Sequence, residues 1–176
     1  LAVRDTGQIV QAGAQEVDVV LPWRALVAGD ERACAELLAA VRRTCDGLTL
    51  KVILESGELQ QPALIRRASE LAIAAGANFL KTSTGKTAVS ATPEAAQAML
   101  LAIATDASAC SRVGFKASGG IRTVADAAVY AGLVARQLGP AALCPARFRI
   151  GASSLLGDIE TLLSGAATPS AKAGSY

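Results

Sequence analysis

Five short runs rich in Val, Ile and Leu punctuate the chain: Glu16–Leu21, Leu48–Glu55, Asn78–Ser83, Arg112–Ala117 and Arg147–Gly151. Between them lie Ala-rich segments whose apolar residues recur at helical spacing, an alternation that predicts repeated βα units with parallel strands. Successive strands start about 30 residues apart, the length a βαβ crossover requires. The predicted helices are Ala2–Gln11, Asp30–Cys45, Pro62–Ala75 closed by Gly76, Val124–Leu138 and Leu155–Leu163. One more is opened by Thr92-Pro93-Glu94, which supplies an N-cap, a proline in the first turn and an early acid. Gln11-Ala12-Gly13-Ala14 before one strand is echoed by Ala74-Ala75-Gly76-Ala77 before another, so a helix end feeds a strand in the same way twice. The organisation expected is one α/β domain over residues 1–163, followed by a flexible tail of small and polar residues over 164–176 that ends in Tyr176.

Strands covered on both faces should be continuous apolar runs, yet four of the five carry an ionisable residue in the middle: Asp18, Lys51, Lys81 and Lys116. Side chains alternate along a strand, so each charge points away from the face of its apolar neighbours, and in a closed barrel that second face is the interior. Any single lysine could instead sit near a strand end and reach water. Four such residues together predict convergence on one axis, where each must pair with Asp18 or Glu55, stay neutral, or meet a charged ligand. Two lysines held close repel, and one is pushed toward a neutral amine near physiological pH, which is what a nucleophile needs to form a Schiff base with a carbonyl. A carboxylate such as Asp18, directly or through water, can move the protons of carbinolamine and enamine chemistry.

Composition narrows the chemistry. The 176 residues contain no histidine, which removes Ser-His-Asp and Cys-His catalysis, His-ligated zinc and an imidazole base together. With 52% hydrophobic and 18% charged residues, the chain is too apolar for disorder, and its 3% aromatic content leaves Ala, Val, Leu and Ile to fill the core. A net charge of +2 without a basic block argues against a nucleic-acid partner. Cys34, Cys45, Cys110 and Cys144 form no C-x-x-C pair and read as reduced thiols. No run reaches the roughly 18 apolar residues of a membrane span, and Leu1–Gly7 lacks a signal-peptide core, so a soluble cytoplasmic protein is expected.

The loops after three strands form a second constellation. Thr82-Ser83-Thr84-Gly85-Lys86, Ser118-Gly119-Gly120 and Gly151-Ala152-Ser153-Ser154 each place small residues and backbone amides just past a strand's C-terminal end. Each alone could be an ordinary turn or cap. Jointly they predict a phosphate site, because that edge of a barrel and the helix N-termini beyond it bind anions. Gly85-Lys86-Thr87 also ends like a Walker A loop, but the first glycine of that motif would fall at Leu80, so that reading fails.

Taken in order, Glu16-Val17-Asp18-Val19-Val20, Lys51-Val52-Ile53-Leu54-Glu55, Phe79-Leu80-Lys81-Thr82-Ser83-Thr84-Gly85-Lys86, Gly114-Phe115-Lys116-Ala117-Ser118-Gly119-Gly120-Ile121-Arg122 and Arg149-Ile150-Gly151-Ala152-Ser153-Ser154 resemble the deoxyribose-phosphate aldolase family of class I aldolases (DeoC/FbaB). The resemblance covers about Gly13 to Leu163. It implies that Lys81 is the Schiff-base lysine, Lys116 the lysine that perturbs it, and Asp18 the proton relay. Lys51 would line the same site, and Gly85, Lys86, Gly119, Gly120, Gly151, Ser153 and Ser154 would hold the substrate's phosphate. Tyr176 resembles a terminal tyrosine that assists proton abstraction in some members. The implied reaction is reversible cleavage of 2-deoxy-D-ribose 5-phosphate to D-glyceraldehyde 3-phosphate and acetaldehyde in deoxyribonucleotide catabolism, with no metal or organic cofactor and with homo-oligomers expected.

The resemblance implies a (β/α)8 TIM barrel, of which only about five C-terminal βα units are read here. The missing first three units and the start at Leu1 suggest an upstream part absent from this sequence. The alternative expectation is a sugar-phosphate-binding or assembly fragment that needs another chain to complete the barrel.

Overall fold

The computed structural model describes residues 1–165. Tyr176 and most of the expected tail lie outside the described residues. The elements run α1 (Ala2–Gln11), β1 (Glu16–Val20), α2 (Trp23–Val27), α3 (Glu31–Thr44), β2 (Thr49–Ile53), α4 (Ser56–Leu59), α5 (Pro62–Ala74), β3 (Phe79–Lys81), α6 (Pro93–Thr105), β4 (Gly114–Ser118), α7 (Val124–Leu138), a 3-10 turn (Pro140–Ala142), β5 (Phe148–Gly151) and α8 (Leu155–Leu163). Every predicted strand and helix is present; α2, α4 and the 3-10 turn fall in stretches where three to five residues are too few to display a helical period.

The helix ends follow local chemistry. Asp30 caps α3 by accepting from Ala33 N–H at 2.9 Å, Thr92 caps α6 by accepting from Ala95 N–H at 3.1 Å, and Thr123 with Asp126 forms a capping box at the start of α7. The two Ala-Gly-Ala repeats close α1 and α5 identically, with Gly13 at φ 83° and Gly76 at φ 86°, a left-handed conformation that glycine adopts without penalty.

All five strands are parallel and pair in chain order, β1-β2-β3-β4-β5. Right-handed crossovers between strands in that order put every connecting helix on the same face. The helices accordingly form one layer in which α1 meets α3, α3 meets α5, α5 meets α6, α6 meets α7 and α7 meets α8. The core lies between this layer and the strand residues facing it: Val17, Val19, Leu50, Val52, Leu80, Phe115 and Ala117 are all buried there.

Among the described residues the opposite face carries no helices, and it is concave. In a flat sheet β1 and β5 would stand about 19 Å apart, four spacings of roughly 4.8 Å. Yet Arg149 on β5 donates to both carboxylate oxygens of Glu16 on β1 at 2.8 Å, so the sheet curls until its first and last strands face each other. Gly114 lets the interior fill: a Cβ there would lie 2.3 Å from the Phe79 ring.

The strand bounds expected at β2, β3 and β4 are corrected. β2 stops at Ile53 because the backbone turns left-handed at Glu55 (φ 43°). β3 spans only three residues because Thr82 continues the pairing with its side chain: its hydroxyl donates to Ser118 C=O and accepts from Ser118 N–H, both at 2.9 Å. β4 begins at Gly114, two residues later than expected, because Arg112 belongs to the preceding turn, where its N–H donates to Ala109 C=O at 2.9 Å.

Candidate active site

The register brings the predicted charges to one face. Asp18 pairs across with Lys51, Ile53 with Lys81, Lys81 with Lys116, and Lys116 with Arg149. Lys51, only 4% exposed, sits between two carboxylates, donating to Glu16 Oε2 at 2.6 Å and pairing with Asp18 Oδ1 at 2.7 Å. The other oxygen of Asp18 accepts from Lys81 Nζ at 3.1 Å. The four ionisable residues singled out from the sequence therefore occupy one site, three of them in direct contact through Asp18.

Burial works against the charge on Asp18, but hydrogen bonds from Lys51 and Lys81 outweigh it and hold this carboxyl below the usual range. Lys116 forms no salt bridge among the described residues. Desolvation first, and then the charge of Lys81, push its ammonium below the ordinary lysine value, with Lys51 and Arg149 adding to the push and Asp18 opposing it. The lysine driven toward the neutral amine by this crowding is thus Lys116. Gly151 leaves room for it, since a Cβ at 151 would lie 3.2 Å from Lys116 Cε and 2.7 Å from Ser118 Oγ.

Next to this cluster, Thr84, Gly85, Ser118–Arg122 and Gly151–Ser154 line one pocket of about 420 Å³. Six of the seven residues expected at a phosphate share it: Gly85, Gly119, Gly120, Gly151, Ser153 and Ser154. Lys86 is exposed and does not line it. Gly119 and Gly120 have φ of 91° and 81°, and a Cβ at Gly119 would collide with Ser90 at 2.5 Å, so only glycine lets these backbones close the pocket. Ser154 precedes α8, whose first turn adds the favourable end of a helix dipole.

Several participants escaped the sequence reading. Arg149 stacks on Phe79 at 4.5 Å while it bonds Glu16; flanked by Phe148 and Ile150, it carries the same alternation signal as the four residues that were recognised. Glu16 lies two residues before Asp18 and so faces the same way. Arg122 lines the same 420 Å³ pocket as the glycines and serines. Glu55, expected as a partner for a lysine, is instead turned away by its left-handed backbone and accepts from Ser83, Thr84 and Thr87.

Among known proteins, a curated deoxyribose-phosphate aldolase of Agrobacterium fabrum is 50% identical over 173 residues, covering 98% of this chain and 66% of the relative. An apo structure from Toxoplasma gondii ME49, assigned as a deoxyribose-phosphate aldolase, superposes with TM-score 0.80 at 27% identity over 93% of this chain and 64% of that one. The deoxyribose phosphate aldolase of Aeropyrum pernix, described as a tetramer of unique structure, matches with TM-score 0.67 at 26% identity over 92% of this chain and 61% of that one. The chain thus spans just under two thirds of the length of these relatives. The family model for DeoC/LacD family aldolases matches residues 2–160, nearly all that the structure describes, and the chain belongs to that family.

Proposed function

We propose that this chain carries the catalytic face of a class I aldolase that reversibly cleaves 2-deoxy-D-ribose 5-phosphate to D-glyceraldehyde 3-phosphate and acetaldehyde. The observation that carries this reading is the juxtaposition of Lys81, Asp18 and Lys116 beside a pocket lined by glycines and serines from three loops. Lys81, as the neutral amine, adds to C1 of the open-chain sugar, and loss of water from the carbinolamine leaves an iminium. Removal of the C3 hydroxyl proton breaks the C2–C3 bond, whose electron pair enters the iminium to form an enamine and releases D-glyceraldehyde 3-phosphate. Protonation of the enamine carbon and hydrolysis return Lys81 and acetaldehyde. Asp18, 3.1 Å from Lys81 Nζ and anchored on its other oxygen by Lys51, is placed to move these protons. Lys116 is the neighbouring base that can take the proton Lys81 must shed before it attacks. Gly119, Gly120, Gly151, Ser153 and Ser154 hold the phosphate, with Gly85 on the facing wall. The chemistry draws on side chains alone.

The curled parallel sheet with helices on one face fits five units of a (β/α)8 barrel. The same reading assigns the protein to deoxyribonucleotide catabolism in the cytoplasm, as a homo-oligomer; no helix among the described residues is long and apolar enough to cross a membrane. A second reading, a sugar-phosphate-binding fragment completed by another polypeptide, is favoured by the outer edges of β1 and β5, which pair with no strand among the described residues. Phosphate binding without turnover would select it.

Acetaldehyde and borohydride test the aldolase. A two-carbon adduct is expected on Lys81, lost in Lys81→Ala and retained in Lys86→Ala, as located by peptide mass mapping. Undiminished labelling of Lys81→Ala would overturn the assignment.

A further inference from the structure

Glu55 is 4% exposed, forms no salt bridge among the described residues, and does not itself line the anion pocket. Its carboxylate accepts from the loop that follows β3, Ser83 Oγ at 2.7 Å and Thr84 N–H at 3.1 Å on Oε1 and Thr84 Oγ1 at 2.6 Å on Oε2, while Thr87 Oγ1, 3.2 Å from Oε1, shares its one proton with Val89 C=O at 2.9 Å. Two of these hydroxyls pass the constraint on, Ser83 Oγ accepting from Gly85 N–H at 2.9 Å and Thr84 Oγ1 from Lys86 N–H at 3.2 Å. The residue itself is held on both sides by backbone bonds to the end of β3, Leu54 N–H to Lys81 C=O and Ser56 N–H to Thr82 C=O, each 2.9 Å. It sits at φ 43° and ψ 54°, a left-handed conformation unfavourable for a side chain other than glycine's. That strained turn aims the carboxylate at the loop, where an extended residue at the same position would point it along the strand face with Lys51.

We propose that Glu55 is a positioning residue for the substrate's phosphate: it gathers residues 83–87 into the wall that Thr84 and Gly85 present to the anion pocket, opposite Gly119–Gly120 and Ser153–Ser154. This deepens the aldolase reading by naming what shapes its phosphate site. The amides of Thr84, Gly85 and Lys86 are all engaged in the network that Glu55 organises. Gly85 in turn lies close to the backbone of Gly119, where an added Cβ would come within 3.2 Å of Gly85 Cα, so a displaced loop would open the anion site. Lys81 is fixed independently, by its pairing in β3 and by Asp18. A loosened loop should therefore weaken phosphate binding and spare amine chemistry.

The test uses the full chain, with inorganic phosphate as the calorimetric probe and borohydride trapping of acetaldehyde, which has no phosphate, as the probe of Lys81. Glu55→Ala is expected to weaken phosphate about tenfold, and Glu55→Gln to restore affinity to within about threefold, because the amide keeps one acceptor oxygen. Thr87→Val, which deletes a single donor outside the pocket, is expected to weaken phosphate about twofold. Trapping should stay within about twofold throughout. Unchanged phosphate affinity in folded Glu55→Ala, or phosphate affinity and trapping falling together, would overturn the proposal, as would a wild-type chain that binds no phosphate. If Glu55→Ala does not fold, the Thr87→Val protein decides the matter by the same two readouts: phosphate affinity equal to wild type overturns it. A wild-type chain that binds phosphate but traps no acetaldehyde refutes the aldolase reading and leaves the phosphate readout of Glu55 intact.

Discussion

Lys116 occupies a place where its ammonium is a liability, partly desolvated and beside Lys81, Lys51 and Arg149 with only Asp18 to offset them. Its folded midpoint lies below the ordinary 10.5, so between those two values the unfolded chain binds more protons and stability rises with pH. Lys116→Met should remove that rise and stabilise the fold at neutral pH by roughly 0.5–2 kcal/mol, while turnover is lost. Chemical denaturation at neutral and alkaline pH, with wild type in parallel, measures both; a destabilised Lys116→Met would contradict the burial argument. The carboxylates behave oppositely. Asp18 and Glu55 resist burial through their hydrogen bonds and titrate below their usual range, so their stabilisation is present above about pH 4 and disappears as pH falls through the folded values. Asp18, Lys51, Lys81 and Lys116 were legible as a group because a charge between apolar neighbours on a strand stands out in one sequence. What each charge meets was not: Glu55 lies on the same alternation as Lys51, yet one left-handed residue sends it to a different partner.

At the scale of elements, close approaches decide where side chains can stand. β3 and β4 come together over Phe79, and Gly114 faces its ring so tightly that any Cβ must displace it. Gly114→Ala should cost about 1–3 kcal/mol by overpacking. A thermal melt reads the loss directly, and an unchanged midpoint would show that the ring moves aside freely. The periodicity of the long helices α3, α5, α6 and α7 announced them, and their caps are written locally in Asp30, Gln61-Pro62, Thr92-Pro93 and Thr123. The strand ends were less legible. Thr82 extends β3 through a hydroxyl and Glu55 terminates β2 through its backbone, and neither device has a signature in the alternation of apolar and polar residues.

Across the whole molecule, the Glu16–Arg149 pair joins strands at opposite ends of the sheet, 133 positions apart in the chain. Both side chains are about one-third exposed, and Arg149 also lies on Phe79, a geometry more constrained than that of an isolated surface pair. A double-mutant cycle with Glu16→Gln and Arg149→Met should return a coupling of about 1 kcal/mol, shrinking in high salt. Coupling near zero would mean that the curvature stands without this tie.

From residue order alone came the parallel βα architecture, the position of every strand, and the set of charged and glycine-rich positions from which the site is built, because binary pattern and loop chemistry are local properties of the chain. The tertiary structure decided how those positions combine. Consecutive strand order left one face without helices among the described residues, curvature folded that face inward, and only there do Glu16 and Arg149 meet, Lys51 disappear between two carboxylates, and three separate loops line a single pocket. These are contacts between residues tens of positions apart, set by how the sheet closes, and no window of sequence contains them.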